Sequence, residues 1–252
     1  QSLGENDNAA IALSQDGTVL ALSITNRTNS VVGNGQEHVA VYQYNDTSST
    51  MEWLQLGVLI PIPEGDFSNE PSISLSSDGL LLAIGEPWYN NNVGRVRLFK
   101  YNKRVDQWEQ FDDDIVGQEL EGFFGSSMSL VQRSDKSKLA SGAPFSTLNR
   151  GARGSVSCYQ ILSEESGATD ATFSPTQAPT TSSIVFKEIM YLEGRKGREA
   201  VIGTSLALSN NGAWLAYRVQ TSDMKDSVRI IKYNSLDNDW DDIPGDEIRA
   251  DF

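Results

Sequence analysis

Cysteine and histidine are each represented once in this sequence, by Cys158 and His38, and two broad classes of chemistry lose their footing as a result. A lone thiol builds neither a disulfide framework nor a thiolate metal cluster, and it leaves the redox compartment undecided. A lone histidine leaves a Ser-His-Asp or Cys-His arrangement a single residue to rest on, which argues against nucleophilic hydrolysis. Basic residues are scarce as well: 20 Lys and Arg against 34 Asp and Glu give a net charge of -14. Such a surface repels phosphate backbones and anionic lipid and favours cations or basic partners, so nucleic acid is not an expected ligand. Nor is there a run of about 18 apolar residues, the length a membrane-spanning helix needs.

What is present reads as a folded β protein. The chain has 252 residues, 38% of them hydrophobic, and 21 glycines; it is too apolar for disorder and long enough to bury a substantial core as one body. One pattern occurs four times: AIALSQDGTVLALS, SISLSSDGLLLAIGEP, SMSLVQRSDKSKLASGAP and SLALSNNGAWLAY. Leu13, Leu75, Leu130 and Leu208 occupy the same place, each preceded two residues earlier by Ile11, Ile73, Met128 or Leu206, the alternation of a strand with one buried face. Asp16-Gly17, Asp78-Gly79 and Asn211-Gly212 then predict a two-residue hairpin turn with positive φ, so the next strand folds back antiparallel. Leu20, Leu82, Leu139 and Leu215, each followed by Ala, are its core positions.

A third strand follows as HVAVYQY, RVRLFKY, SVSCYQI and SVRIIKY, in which Val39, Val96, Val156 and Val228 align, as do Val41, Leu98, Cys158 and Ile230. Cys158 therefore stands where its counterparts are aliphatic. A fourth strand is marked by Trp53, Trp108, Phe186 and Trp240. Four short antiparallel strands repeated roughly every 55 to 60 residues, once insertions are removed, describe a propeller blade, whose two apolar faces must be covered by neighbouring blades. The expected fold is all-β: four four-stranded antiparallel blades over residues 5–57, 67–112, 123–190 and 201–244, forming one propeller segment over 1–252. Gln1 to Gly4 match the tail of a fourth strand, and GDEIRADF matches GQELEGFF, so 245–252 are expected to open a further blade of a larger propeller; a closed four-blade ring is the competing arrangement. Residues 163–183, rich in Ser, Thr, Pro and Ala, read as a surface loop of the kind that carries O-glycans.

Phe124-Gly125 followed by Gly142-Ala143-Pro144 spells the two ends of the FG-GAP repeat, with Gly85-Glu86-Pro87 a near match and Ile202-Gly203 standing where Phe-Gly is expected. The chain resembles the FG-GAP-type propellers of integrin α-subunit heads, and especially tandem repeats of secreted algal and bacterial proteins that end in a W-x-Q-L-G strand. The resemblance implies an extracellular or cell-surface protein. It also implies calcium in a D-x-D-x-D-G-x-x-D hairpin, but here SSDG and SNNG are too short to encircle a cation that takes about six to eight oxygen ligands. Arg133 to Lys136 put positive charge at the corresponding place in the third repeat. No cofactor or metal is therefore expected, calcium being possible only outside the first-hairpin loops.

Several residues remain as candidate sites. Asn26-Arg27-Thr28 and Asn45-Asp46-Thr47 fit the N-glycosylation acceptor in predicted loops, which nominates Asn26 and Asn45. His38 lies at the lip of a third strand where Arg95, Ser155 and Ser227 stand in the other repeats, a polar edge position. Asp112, Asp113 and Asp114, with Asp241 and Asp242, read as a solvated rim before they read as paired catalytic carboxylates, which would need one acid buried beside another. Loops between second and third strands build one propeller face, and there Trp88, Tyr89, Asn90, Asn91 and Asn92 put aromatics beside amides, a combination suited to sugar or protein recognition; the bland alternative is that Trp88 packs between blades. The expected function is non-enzymatic: adhesion, surface or matrix assembly, or binding of a protein or glycan ligand. A carbohydrate-active hydrolase using loop carboxylates and a purely structural self-assembling array are the rivals.

Overall fold

A computed structural model of the chain describes residues 10–25, 37–46, 51–63, 71–132, 137–147, 153–163, 184–194, 201–221, 226–237 and 239–249. They form four separate antiparallel sheets. Blade one comprises β1 (Ile11–Leu13), β2 (Val19–Thr25), β3 (Glu37–Asn45), β4 (Glu52–Gln55) and β5 (Ile60–Ile62); blade two comprises β6 (Ser72–Leu75), β7 (Leu81–Glu86), β8 (Arg95–Asn102), β9 (Gln107–Gln110) and β10 (Ile115–Val116). Blade three is β11 (Ser127–Val131), β12 (Ser137–Ala143), β13 (Ser155–Ser163) and β14 (Ile184–Glu193), and blade four is β15 (Val201–Leu208), β16 (Trp214–Gln220), β17 (Asp226–Asn234) and β18 (Asp239–Arg249). In each sheet the chain runs up and down, with every strand paired to the one before it in the meander, apart from β5 and β10, which share the third strand of their sheets with β4 and β9. This is the all-β, four-strand blade that the fourfold repeat requires.

The blades stack because the facing sides of adjacent sheets are apolar. β6 lies against β1 and β2, β11 against β6 and β7, and β15 against β11, β12 and β13. One apolar layer joins Val19, Val39 and Val41 of blade one to Leu75, Leu82 and Ile84 of blade two. The next joins Leu81, Val96 and Leu98 to Leu130 and Leu139, and the third joins Val156 and Cys158 to Leu215 and Ile231. Val39, Val96 and Val156 are fully buried, as are Leu82, Leu139 and Leu215; each such side chain stabilises the stack by about 1.5–3 kcal/mol.

The hairpin turns differ from expectation. Gly17, Gly79 and Gly212 do hold positive φ, at 74°, 69° and 61°, but Asp16, Asp78 and Asn211 do not. The connection is longer than two residues: the Ser14 amide bonds the Val19 carbonyl at 2.8 Å, with Gln15, Asp16, Gly17 and Thr18 between. The acidic residue serves as an acceptor instead. Ser14 Oγ donates to Asp16 Oδ1 at 2.7 Å while the Thr18 amide donates to the same oxygen at 3.0 Å, and the Val19 amide donates to Ser14 Oγ at 2.9 Å. Blade two repeats this set with Ser76, Asp78, Leu80 and Leu81, and blade four with Ser209, Asn211, Ala213 and Trp214.

The outer edge of each blade also extends further than the repeat implied. Ile60 pairs with Val39, Ile115 with Val96, Leu192 with Val156 and Ile248 with Val228. Each outer edge thus has an aromatic half and, past an irregularity, an aliphatic half that covers the aligned valine. Residues 245–249, expected to open a further blade, are by this register the aliphatic half of β18. Residues 60–62 and 115–116, outside the expected bounds of their blades, are its equivalents. Of the segments singled out in the sequence, 1–4, 133–136, 164–183 and 250–252 lie outside the described residues.

The glycines of Gly85-Glu86-Pro87, Phe124-Gly125, Gly142-Ala143-Pro144 and Ile202-Gly203 meet in pairs at the joints between blades. A Cβ on Gly85 would collide with the Gly125 carbonyl, and one on Gly142 with the Gly203 carbonyl. The Gly-Ala/Glu-Pro end of one blade is therefore in backbone contact with the Phe/Ile-Gly start of the next. Ser72 Oγ and Ser127 Oγ donate to those same carbonyls at 2.5 and 2.9 Å. Between the inner strands, Leu130 N donates to Ser74 Oγ and Leu208 N to Ser129 Oγ, both at 2.9 Å.

Candidate functional site

The loop face at the joint of blades two and three carries the predicted ligand residues; it buries Trp88 and leaves Asn90 and Asn91 exposed. Trp88 is only 7% exposed and belongs to the apolar layer between blades one and two. Its ring is unavailable to a ligand, because burying it beside Ile84 removes a large apolar area from water. Tyr89 is half-buried, and the Arg95 guanidinium lies 4.0 Å from its ring centre. Asn90, Asn91 and Asn92 have φ of 50°, 56° and 62°, a left-handed turn. Asparagine is among the few side chains that tolerate this region, which accounts for the run of three.

That turn holds the next connection by its backbone. Asn92 and Val93 carbonyls accept from the amides of Phe123 and Phe124 at 2.8 and 3.2 Å, and Gly94 and Phe124 form a parallel bridge. The docking forces Glu121 and Phe123 to φ of 57° and 58°. A bulky residue in this region costs on the order of 1–3 kcal/mol, sustained only because the surroundings leave no alternative. The Phe123 ring then meets Phe145 edge-on, with centroids 5.3 Å apart.

Phe145 is 60% exposed and Leu120 70%, and Val116 is exposed on the same connection. The exposed Asn90 and Asn91 and the exposed carboxylate residue Glu121 flank them. The exposed apolar residues of this face are thus Phe145, Leu120 and Val116, with Phe123 half-buried behind Phe145, where sequence reasoning had placed Trp88 and Tyr89. The available signal was Glu-Gly-Phe-Phe-Gly and Pro-Phe, one aromatic pair and one single aromatic in glycine- and proline-marked segments outside the repeated strands.

Beneath this patch a cavity of about 20 Å³, room for one water, is lined by Ser146, Ser155, Ser157, Tyr159 and Tyr191. Burial, aided by the charge of Glu188, pushes the Tyr159 hydroxyl up to about 12, so it remains a protonated donor at neutral pH.

Behind the loops lies a buried charge cluster that the sequence did not announce. Glu86, 1% exposed, accepts from Arg95 Nε and Nη2 at 3.0 and 2.7 Å and from Arg97 Nε at 2.5 Å. Arg95 also reaches Asp114 at 2.8 Å, and Arg97 Nη2 donates to the Pro61 carbonyl of blade one at 3.1 Å. Burial opposes the charge on Arg95, but the Glu86 and Asp114 carboxylates outweigh it and raise its pKa above the ordinary value.

The remaining candidates are dispersed. Asp112, Asp113, Asp241 and Asp242 are exposed and Asp114 is committed to Arg95, so these acids form no buried pair. Among the described residues no group of three or more His, Cys, Asp or Glu is placed to hold a metal ion. His38 is half-buried opposite Ile24 and Pro61. Asn45 ends β3, half-buried opposite Glu52; Asn26 lies outside the described residues. Among the described residues no helix is long and apolar enough to cross a membrane.

Four stacked, four-stranded antiparallel meanders define a β-propeller segment. Solved structures with a similar arrangement are themselves propellers. They include TolB from Acinetobacter baumannii (14% identity, 92% of this chain and 43% of that one, TM-score 0.44). A prolyl endopeptidase (12%, 90% and 27%, TM-score 0.46) and the Cellvibrio cellulosa α-L-arabinanase solved with arabinohexaose (13%, 90% and 74%, TM-score 0.39) are similar as well. The chain spans less than half the length of the first two. No protein-family model matches it, and no curated protein does. The assignment to the propeller class stands on the four sheets themselves.

Proposed function

We propose that this chain is a non-enzymatic binding module of an extracellular or cell-surface protein, built from FG-GAP-type propeller blades, whose loop face at the joint of blades two and three takes a protein ligand. The observation that carries this reading is Phe145 and Leu120, 60% and 70% exposed, with the half-buried Phe123 ring edge-on to Phe145 and its backbone held at a φ of 58°. Exposed aromatic and aliphatic groups rimmed by amides and carboxylates are the composition of a protein-binding surface. The FG-GAP reading is supported by the glycine pairs Gly85 with Gly125 and Gly142 with Gly203, which give that sequence signature a mechanical reason at two successive joints.

Screening the purified chain against arrays of extracellular proteins and of glycans tests the proposal. Retained protein ligands should lose at least tenfold in affinity with Phe145→Ser or Leu120→Ser while the melting temperature is unchanged. Binding that survives both substitutions, capture confined to glycans, or turnover of a glycan substrate would each defeat it.

A further inference from the structure

The strand register of blade three gathers hydroxyls on the side that faces blade two. Residues paired across neighbouring antiparallel strands point to the same face, so Ser141, Ser157 and Tyr191 form one row across β12, β13 and β14, and Ala143, Ser155 and Glu193 form the next. Ala143 packs with Phe124 in the apolar layer between blades two and three, which fixes the direction of that face. Ser141 is fully buried, and Ser155 and Ser157 are buried as well. The row lacks partners. The hydroxyls of Ser141 and Tyr191 are buried and make no hydrogen bond, whereas buried polar groups are nearly always paired. Burial, with the charges of Glu193 and Glu119, raises the pKa of Tyr191 against the pull of the Ser146 and Ser155 hydroxyls, which stand beside it outside bonding geometry.

Ser155, Ser157 and Tyr191 line the cavity of about 20 Å³ together with Glu119, and it reaches the surface at the exposed Gln118 and the half-buried Glu119, one residue before Leu120. Glu119 Oε2 accepts from the Thr147 amide, while Oε1 takes no hydrogen bond from a described residue. No described Lys or Arg lines the cavity. The space therefore combines water-sized volume, hydroxyl oxygens without donors and an acceptor oxygen of a carboxylate. An ammonium group is about the size of a water, carries three donors and has no acceptor to satisfy. The planar guanidinium of an arginine is larger than the space. Stripping water from an ammonium is offset only beside a carboxylate, and Glu119 supplies one.

We propose that this cavity seats a lysine of the protein ligand, its ammonium held by Glu119 and the Tyr191 and Ser155 hydroxyls and its aliphatic stem lying across Leu120 and Phe145. The assignment rests on the reading that this face takes a protein, and it adds the chemistry of the ligand: a basic side chain among apolar neighbours. A lysine suits both parts of the surface, because its stem covers apolar groups while its head seeks polar ones. The net charge of -14 draws such a ligand in from a distance.

Titrating the chain, carrying carbon-13 in its tyrosine rings, with Nα-acetyl-lysine N-methylamide at constant ionic strength tests this by NMR. The Tyr191 and Tyr159 ring signals should shift saturably. The norleucine analogue, which has the stem without the charge, should bind about tenfold more weakly or less, the effect of one lost charge-assisted bond. Glu119→Gln keeps an acceptor for the Thr147 amide, and Tyr191→Phe removes a hydroxyl that has no partner, so melting temperatures should hold. Each should weaken the lysine probe roughly three- to tenfold, the first read at both rings and the second at Tyr159. Tyrosine signals that do not move overturn the proposal, as do equal shifts from norleucine or from potassium chloride. The two readings fail separately. A lysine probe bound by a chain that captures no protein refutes the protein ligand while supporting the ammonium site. Captured proteins that bind Glu119→Gln as tightly as the parent overturn the lysine seat and leave the Phe145 contact standing.

Discussion

Glu86 offers the most demanding test of the packing described above. Its carboxylate is 1% exposed and accepts three N–H bonds from two guanidinium groups that are themselves 11% and 8% exposed. Replacing it by alanine leaves both arginines buried beside the joint of blades one and two without their main partner. Charge-assisted bonds are worth about 1.5–3 kcal/mol each, but they are not additive, and Arg95 keeps Asp114 while Arg97 keeps the Pro61 carbonyl. Breaking a buried ion pair by removing one member costs about 3–5 kcal/mol, and the retained partners place Glu86→Ala in the lower half of that range. With a urea dependence of about 2 kcal/mol per molar, the unfolding midpoint should fall by roughly 1.5–2 M. An exposed pair would instead cost about 0–1 kcal/mol and would be screened by salt. Glu86→Leu combined with Arg97→Leu removes a matched pair and should recover more than half of the loss, leaving Arg95 with Asp114. Urea titration of the three proteins at low and high sodium chloride decides the matter. A loss under about 1 kcal/mol for Glu86→Ala, or one that vanishes in salt, would show that the cluster is not desolvated as described.

Other perturbations probe the joints. Gly142→Ala drives a Cβ into the Gly203 carbonyl and should cost about 1–3 kcal/mol by thermal or urea unfolding, whereas Gly122→Ala, whose nearest neighbours are 3.2 Å away or more and whose φ is not positive, should cost less. Lys138→Met keeps the aliphatic stem but loses the 2.8 Å bond to the Gly212 carbonyl and the contact with the Tyr233 ring, for a loss of about 1–3 kcal/mol. Burial pushes the Cys158 thiol up to about 12, so native protein should resist thiol reagents until it unfolds, and Cys158→Val should be within about 1.5 kcal/mol of the parent. The Tyr159 hydroxyl is likewise raised to about 12 from an ordinary 10. Its contribution is fully present below pH 10 and is lost as the pH rises towards 12, because the unfolded chain gives up the proton first; Tyr159→Phe should flatten that part of the stability–pH curve.

The fold was legible because burial imposes the same demand four times. Val39, Val96 and Val156 align in sequence and are all enclosed, and the alternation of Ile73 with Leu75 follows from one strand facing one neighbour. The turn was half legible. Gly17 and Gly79 showed where the backbone must bend, but the role of Ser14 and Ser76, whose hydroxyls close the turn onto Asp16 and Asp78, depends on a connection longer than glycine alone implies. The outer edge was misjudged for a related reason: Ile115 and Ile248 follow a break in the strand, and a two-residue alternation cannot be carried across an irregularity of unknown length.

The loop face resisted reading because the same residue type answers opposite demands there. Trp88 and Phe145 are both large, apolar and set in loops, and nothing in either local sequence states that one is 7% and the other 60% exposed. The difference is fixed by partners distant in the chain. Trp88 fills space that Ile62 and Ile84 leave between two blades, whereas Phe145 is held outward by Phe123, whose own backbone is strained by the docking of its segment on Asn92. The run of asparagines meets a backbone demand that its local sequence does not declare, a left-handed turn with φ of 50°, 56° and 62°. Substituting Asn91 by glycine separates that demand from any role of the side-chain amide. Glycine accepts φ of 56° without penalty, so the turn and the position of Phe145 should be kept. A ligand that reads Phe145 should then bind as before, and a ligand that loses affinity must be reading the Asn91 amide itself.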